Sequence, residues 1–150
     1  MKPYEEYRRE RQEAVDALPL HWAFGPEQFD RLCKELDATT EDFVHVNGIG
    51  ALVLKEEWPE VNAFFEKPDE LPGLMRDYGF AKGAFVYEMR NHEYAYAWDG
   101  DWDVCRCFGH VEGDDPAKYF DQLGWEPQTR KAYKDARKEY YRLCDENGWW

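Results

Sequence analysis

The sequence has few of the features that place a chain in a membrane or outside the cell. No apolar run approaches the ~18 residues of a membrane span. The charged first stretch, MKPYEEYRRERQEAV, contains no apolar core of a signal peptide. Only four cysteines occur among 150 residues, and their spacing forms no disulfide framework. These absences predict a cytoplasmic protein that makes no membrane contact and keeps its cysteines reduced.

Motifs of common catalytic sites are also missing. The chain contains no glycine-rich phosphate loop, no G-x-S-x-G elbow, no H-E-x-x-H pair and no Walker pattern. Each of these motifs places a reactive or phosphate-binding group at a fixed point of a turn or helix. Without them, the sequence favours a protein that is not an enzyme.

Positive charge is scarce, because 19 basic side chains face 32 acidic ones and the net charge is −13. Residues 37–126 carry 20 acidic and 7 basic side chains, net −13, whereas residues 1–36 and 127–150 sum to −2 and +2. Such a surface repels phosphate backbones, so we expect no direct nucleic-acid binding and a basic protein partner instead. Acidic residues and neighbouring aromatic anchors are expected to make this contact. The partner-binding residues predicted on this basis are Glu56, Glu57, Trp58, Glu60, Trp98, Asp99, Asp101, Trp102, Asp103, Glu112, Asp114 and Asp115.

The helical patterns predict one folded domain over residues 1–150. Aromatic residues make up 17% of the chain, which is more than a disordered acidic chain carries. Apolar residues at three- and four-residue steps predict an amphipathic helix within residues 1–18 and a second one after Gly25-Pro26. Residues 113–146 repeat this pattern and are expected to form C-terminal flanking helices.

The clearest strand signal is the stretch FVHVNGIGALVL. Asn47-Gly48 at its centre suits the positive φ angles of a type I′ turn, so the stretch predicts a β-hairpin. Residues 20–24 alternate as a further short strand, while Cys33 and Cys144 fall on apolar helical stripes and are expected in the core. Together these patterns predict an α+β fold, with a small antiparallel sheet packed against several helices and amphipathic helices at both ends.

The stretch YEMRNHEYAYAWDGDWDVCRC, residues 87–107, concentrates residue types that hold metals or catalyse reactions. Zinc accepts sulfur and imidazole ligands, but C-x-C-x-x-H departs from the usual knuckle spacing and lacks a second pair. A catalytic site would use a histidine base or a cysteine nucleophile, although the negative local charge raises a thiol pKa. This alternative, a small metal-binding protein or hydrolase, centres on His92, Glu93, Cys105, Cys107 and His110.

A structural role for the same stretch is the favoured interpretation. Asn91-His92 is expected to end a helix, with the imidazole hydrogen-bonded to the chain nearby. The alternating aromatic residues of 94–98 are expected to share one face of an extended segment, and Asp101 to cap a helix over residues 101–108. This interpretation predicts no cofactor and no catalytic residue, with zinc as the alternative.

Residues 21–109 carry motifs that resemble a known family. These motifs are HWAFGPEQFDRLCKEL, the glycine-containing hairpin and FVYEMRNHEYAYAWDGDWDVCRCFG, of which NHEY is the most specific part. They resemble small uncharacterised proteins of phages, plasmids and other mobile elements of gut Firmicutes. Cys105 and Cys107 depart from that pattern, which has aliphatic residues there and implies a helix after NHEY. The positions that match are Phe24, Gln28, Phe29, Gly48, Gly50, Glu88, Asn91, His92, Glu93, Tyr94, Asp101 and Gly109.

Charge and resemblance together predict the function. The resemblance implies a phage or mobile-element protein in the cytoplasm of a bacterial host cell, and it implies no established activity. Small acidic proteins on mobile elements often resemble inhibitors of host defence, including anti-CRISPR proteins. We therefore expect the chain to bind and inhibit a basic, nucleic-acid-handling defence protein, with a CRISPR effector nuclease as the expected target. The remaining alternatives are the metal-binding protein or hydrolase above and a structural or regulatory phage protein.

Overall fold

A computed structural model of the protein describes residues 2–46 and 48–150. The chain divides into two compact units. The first contains Met1–Arg9 and Asp69–Trp150, and the second contains Glu10–Pro68. This division does not say whether each unit folds alone, so the single-domain prediction stays a prediction.

The regular secondary structure of the described residues consists of helices and one two-stranded antiparallel sheet. The α+β prediction is therefore confirmed. Within this described part, no helix combines the length and the apolar character that crossing a bilayer requires. The helices are α1 (Tyr4–Asp16), α2 (Pro26–Leu36), α3 (Trp58–Glu66), α4 (Leu71–Leu74), α5 (Tyr78–Asn91), α6 (Gly100–Cys105), α7 (Pro116–Gln122) and α8 (Pro127–Asn147), and the strands are β1 (Phe43–Val46) and β2 (Ala51–Leu54).

The second unit contains the predicted hairpin. Its register pairs Phe43 with Leu54 and Val46 with Ala51, so residues 47–50 connect the strands. The predicted type I′ turn involves Asn47, which lies outside the described residues. The hairpin buries Val46, Ala51 and Val53 against Val61 of α3.

Two predictions for the second unit are wrong. Residues 20–24 form no strand, because only His21 pairs with the sheet, through an isolated bridge to Leu52. Cys33 is only partly buried, and none of the side chains of α2 is fully buried. The apolar side chains of α2 are therefore only partly buried and do not form the centre of the core.

The first unit is built on the packing of α5 against α8. Phe85 of α5 lies 5.0 Å from the ring of Tyr133 and 4.9 Å from that of Trp125, between ring centroids. Such tilted and edge-on aromatic pairs contribute stabilising free energy in addition to that gained by burying their apolar surface. Cys144 is completely buried on α8, as predicted.

The connection between α5 and α6 differs in part from its prediction. α5 ends at Asn91 with His92 as its C-cap, which confirms that Asn91-His92 ends the helix. Residues 92–99 then form turns and not an extended segment, since Glu93 adopts a φ of 49° and its carbonyl accepts from Tyr96 N at 2.8 Å. Tyr94 is buried whereas Trp98 is exposed, so these aromatic residues do not share a face.

The N-cap prediction for α6 is also wrong by two residues. The helix begins at Gly100, and Asp99 caps it by accepting from the backbone N–H of Trp102 at 3.0 Å. Asp101 lies in the first turn instead. Both aspartates suit an N-cap, and the chain uses the first of them.

Gly100 and Gly83 give a matched pair of stability predictions. A Cβ at Gly100 would lie 2.6 Å from Tyr94 Cδ2 and 2.9 Å from the Tyr94 carbonyl oxygen, and this backbone atom cannot move aside cheaply. Gly100→Ala is therefore expected to lower the free energy of unfolding by about 1–3 kcal/mol. A Cβ at Gly83, inside α5, meets nothing within 4 Å. Gly83→Ala is expected to raise stability by about 0.5–1 kcal/mol, because alanine favours the helix.

Chemical denaturation of both variants measures this difference. Equal stability of the two variants would contradict the close approach of Gly100 to Tyr94.

Candidate functional site

A buried carboxylate, Glu88, is the centre of the first cluster of functional groups. It lies on α5 with only 1% of its surface exposed. Its Oε1 accepts a hydrogen bond from the Tyr4 hydroxyl at 2.9 Å and another from the Arg8 guanidinium at 2.5 Å. Tyr4 and Arg8 are on the same face of α1, because four residues separate them. The two donors hold one oxygen of Glu88 and leave the other to face different groups.

The second oxygen of Glu88 faces His92 and Cys107. Oε2 lies 3.3 Å from His92 Nε2 and 3.3 Å from Cys107 Sγ, and these two atoms are also 3.3 Å apart. Glu88 and His92 meet because they are four residues apart at the end of α5. Cys107 follows α6, and its Sγ also lies 3.3 Å from the Asp103 carbonyl oxygen. We call these three residues the Glu88–His92–Cys107 cluster.

The charges in this cluster follow from its surroundings. Burial alone would raise the pKa of Glu88, but hydrogen bonds from Tyr4, Cys107 and Arg8 outweigh it and lower that pKa below its ordinary value. Burial, with the charge of Glu88 beside it, raises the pKa of Cys107 to about 12. At neutral pH Glu88 is ionised and Cys107 is a protonated thiol, which is a weak nucleophile.

The structure brings together only two of the metal or catalytic residues predicted from the sequence. His92 and Cys107 meet, whereas Cys105 is completely buried in the core and burial raises its pKa to about 12. His110 is exposed, with Nε2 2.9 Å from Glu112 Oε1. Glu93 is exposed at the turn after α5. The residue that completes the cluster is Glu88, which the prediction did not include.

The indole of Trp98 is fully exposed and is followed in the sequence by the acidic residue Asp99. The Tyr119 hydroxyl donates to Gly113 O at 2.7 Å and also lies 3.1 Å from Asp99 Oδ2, so it joins the segment at Trp98-Asp99 to residues 112–115. The pKa of Tyr119 is raised to about 12 by burial and by the charges of Asp99 and Asp114. We call Trp98 and the predicted acidic residues of the segments that Tyr119 connects the Trp98 surface, and its members are Trp98, Asp99, Asp103, Glu112, Asp114 and Asp115.

The side chains of two other predicted partner residues make contacts within this unit. Asp101 Oδ1 accepts from the hydroxyls of Tyr94, at 2.7 Å, and Tyr133, at 2.5 Å. Trp102 is partly buried, with the Arg106 guanidinium 4.3 Å from its ring centroid. The carboxylate of Asp101 thus accepts hydrogen bonds from side chains of its own unit.

The remaining predicted partner residues belong to the second unit. Glu56 and Glu60 are exposed there, while Glu57 and Trp58 are partly buried. Trp58 packs against the small core of the hairpin. The predicted contact residues are therefore distributed over both units.

A comparison with protein families finds one match. The model of DUF7659, a family of unknown function, matches residues 3–139. This match is longer than residues 21–109, where the sequence motifs lie, and it includes most of the flanking helices. No curated protein and no solved structure matches the chain.

Proposed function

The chain belongs to this family of unknown function, and from that premise we propose that it binds a basic protein through the Trp98 surface. The finer proposal is that the partner is a nucleic-acid-handling defence protein of a bacterial host, a CRISPR effector nuclease above all, and that binding inhibits it.

The observation that carries the proposal is the complete exposure of Trp98. An indole left in water loses the free energy that burial of its large apolar surface provides. Tryptophan is also among the residues that most often dominate the energy of protein–protein interfaces. Since the indole is fully exposed, no contact with the described residues of the first unit requires a tryptophan here, and a partner is the simplest reason for it.

The carboxylates of the Trp98 surface favour a positively charged partner. Asp114 and Asp115 are exposed in the loop before α7, and Asp103 lies one turn after Asp99 on α6. Their joint charge would accelerate association with a basic protein and would be screened by salt. Protein–protein interfaces usually have aromatic residues at their centre and charged or polar residues at their rim.

A cavity in the same unit fits this chemistry. It has a volume of about 610 Å³, and Glu5 and Glu93 contribute carboxylates to its wall. Tyr96 and Trp149 add aromatic rings, and the Arg90 guanidinium already lies 5.0 Å from the Trp149 ring centroid. Carboxylates beside aromatic rings attract lysine or arginine side chains. The cavity supports a basic partner independently of Trp98.

The finer proposal is supported by the resemblance to mobile-element proteins and by the sign of the charge. A nuclease that handles DNA and RNA presents a positively charged channel to phosphate backbones. An acidic protein of net charge −13 competes for such a channel without binding nucleic acid itself. Inhibition of a defence nuclease would benefit a mobile element that carries this gene.

Trp98→Ala is expected to weaken binding to the partner about 30-fold, which corresponds to about 2 kcal/mol of binding free energy. The fold should be unaffected, because the removed indole is exposed in the free protein. Binding would be measured by biolayer interferometry at low salt, with a purified, guide-loaded CRISPR effector nuclease of a gut Firmicute immobilised on the sensor.

Phe24→Ala is the matched control, since Phe24 is also a strongly exposed aromatic residue but belongs to the second unit. Its affinity is expected to stay within about threefold of the wild type. Equal affinity of Trp98→Ala and Phe24→Ala would refute the role assigned to Trp98.

A further inference from the structure

The Glu88–His92–Cys107 cluster brings three potential metal ligands of different kinds close to one another. One oxygen, one nitrogen and one sulfur form a triangle whose three sides are each 3.3 Å. A single imidazole nitrogen offers either one proton or one lone pair. It cannot form two well-directed hydrogen bonds to atoms that lie about 60° apart as seen from it. At least one side of the triangle is therefore a polar contact without a hydrogen bond.

The same triangle matches one face of a zinc site. Zinc binds carboxylate oxygen and imidazole nitrogen at about 2.0–2.2 Å and thiolate sulfur at about 2.3 Å. In a tetrahedron, such bond lengths separate neighbouring ligand atoms by about 3.3–3.6 Å. The observed separations need to change by no more than a few tenths of an ångström. We propose that Glu88 Oε2, His92 Nε2 and Cys107 Sγ bind one zinc ion.

The surroundings of the cluster resemble those of a built metal site. Tyr4 and Arg8 both donate to Oε1 of Glu88, so they fix the orientation of the carboxylate whose Oε2 would bind the ion. Partners of this kind orient metal ligands and raise affinity. The side chain of His92 is 36% exposed, so the cluster includes a ligand that solvent reaches, as ion entry and a water as fourth ligand require. The site is independent of the partner-binding proposal, because none of its ligands belongs to the Trp98 surface.

Binding involves the transfer of one proton. The Cys107 thiol gives its proton to solvent as the sulfur–zinc bond forms, while His92 binds through the lone pair of Nε2 and Glu88 through its carboxylate oxygen. The two negative ligands then balance the charge of the ion. Cysteine, histidine and glutamate together suit zinc or cobalt(II) better than the hard ions magnesium and calcium, which take oxygen ligands.

Cobalt(II) titration of the full-length, chelator-treated protein tests the site. A thiolate ligand produces a sulfur-to-cobalt charge-transfer band in the near ultraviolet, and a tetrahedral site produces intense visible bands. The wild type is expected to show both at about one equivalent of cobalt, and to lose them when zinc is added. Tyr4→Phe is expected to keep the bands with about tenfold weaker affinity, because it removes only a partner of Glu88.

Cys107→Ser and His92→Gln are expected to weaken binding about 100-fold or more and to lose the charge-transfer band or the tetrahedral spectrum. Their matched controls are Cys33→Ser and His110→Gln, which remove a thiol and an imidazole outside the triangle and should bind like the wild type. Circular dichroism shows that each variant is folded. Absence of the band in the wild type, binding without it, or its persistence in Cys107→Ser would each overturn the proposal.

Discussion

Replacing Glu88 by alanine is expected to lower the free energy of unfolding of the metal-free protein by about 3 kcal/mol. The substitution leaves the buried Tyr4 hydroxyl and the Arg8 guanidinium without their acceptor. Removing one partner of a buried ion pair costs about 3–5 kcal/mol, and the lower end applies because the Arg8 side chain is 43% exposed. For a chain of this length, the loss corresponds to about 6–12 °C in melting temperature.

Glu66→Ala is the control for this prediction, since it removes an exposed carboxylate from the end of α3. Its stability is expected to stay within about 0.5 kcal/mol of the wild type. Urea denaturation of both variants in the presence of a chelator gives the comparison. A loss below about 1 kcal/mol for Glu88→Ala would mean that Tyr4 and Arg8 do not depend on this carboxylate.

Asp101→Ala is expected to cost about 2–4 kcal/mol, because it removes the acceptor shared by two tyrosine hydroxyls. Tyr133 is almost completely buried, and its unpaired hydroxyl would carry most of the penalty. Asp101→Asn keeps an acceptor oxygen in place and should lose about half as much. Had Asp101 been the N-cap, the loss would have been about 1 kcal/mol.

Asp103→Ala provides the control on the same helix, two residues further along. It removes a first-turn carboxylate of α6 and is expected to cost less than about 1 kcal/mol. Thermal melts of the three variants decide the order. If Asp101→Ala and Asp103→Ala have the same melting temperature, the hydrogen bonds from Tyr94 and Tyr133 to Asp101 contribute nothing to stability.

Several elements could be predicted because their signals are local. The end of α5 at Asn91-His92 and the hairpin of β1 and β2 follow from residues that directly favour a helix end and a turn. The buried face of α8 extends from Thr129 to Cys144, about four turns, so its helical period is clear in the sequence.

Other features depend on contacts between distant residues and could not be derived in this way. Asp99 and Asp101 are equivalent as N-caps by sequence, and the tyrosines that donate hydrogen bonds to Asp101 are seven and 32 residues away from it. The alternating aromatic residues of 94–98 imitate a strand, but the αL conformation of Glu93 turns the chain before a strand can form.

Glu88 was missed as a site residue for a related reason. Its donors Tyr4 and Arg8 lie 84 and 80 residues away, so no local pattern reveals that this carboxylate is buried. One local signal was present, since Glu88 and His92 are four residues apart on a predicted helix and must face the same side. That spacing, rather than the neighbouring His92-Glu93 pair, identifies the histidine's carboxylate partner.

Inhibition of target-DNA cleavage by a purified, guide-loaded CRISPR effector nuclease tests the proposed function most directly. The wild-type protein and Phe24→Ala are expected to abolish cleavage at low salt when about one copy is present per effector. Rising salt is expected to restore cleavage, because it screens the charges of the complex. Trp98→Ala is expected to require about 30 times more protein for the same inhibition. Full cleavage in the presence of a large excess of wild-type protein, or equal inhibition by Trp98→Ala, would contradict the proposed function.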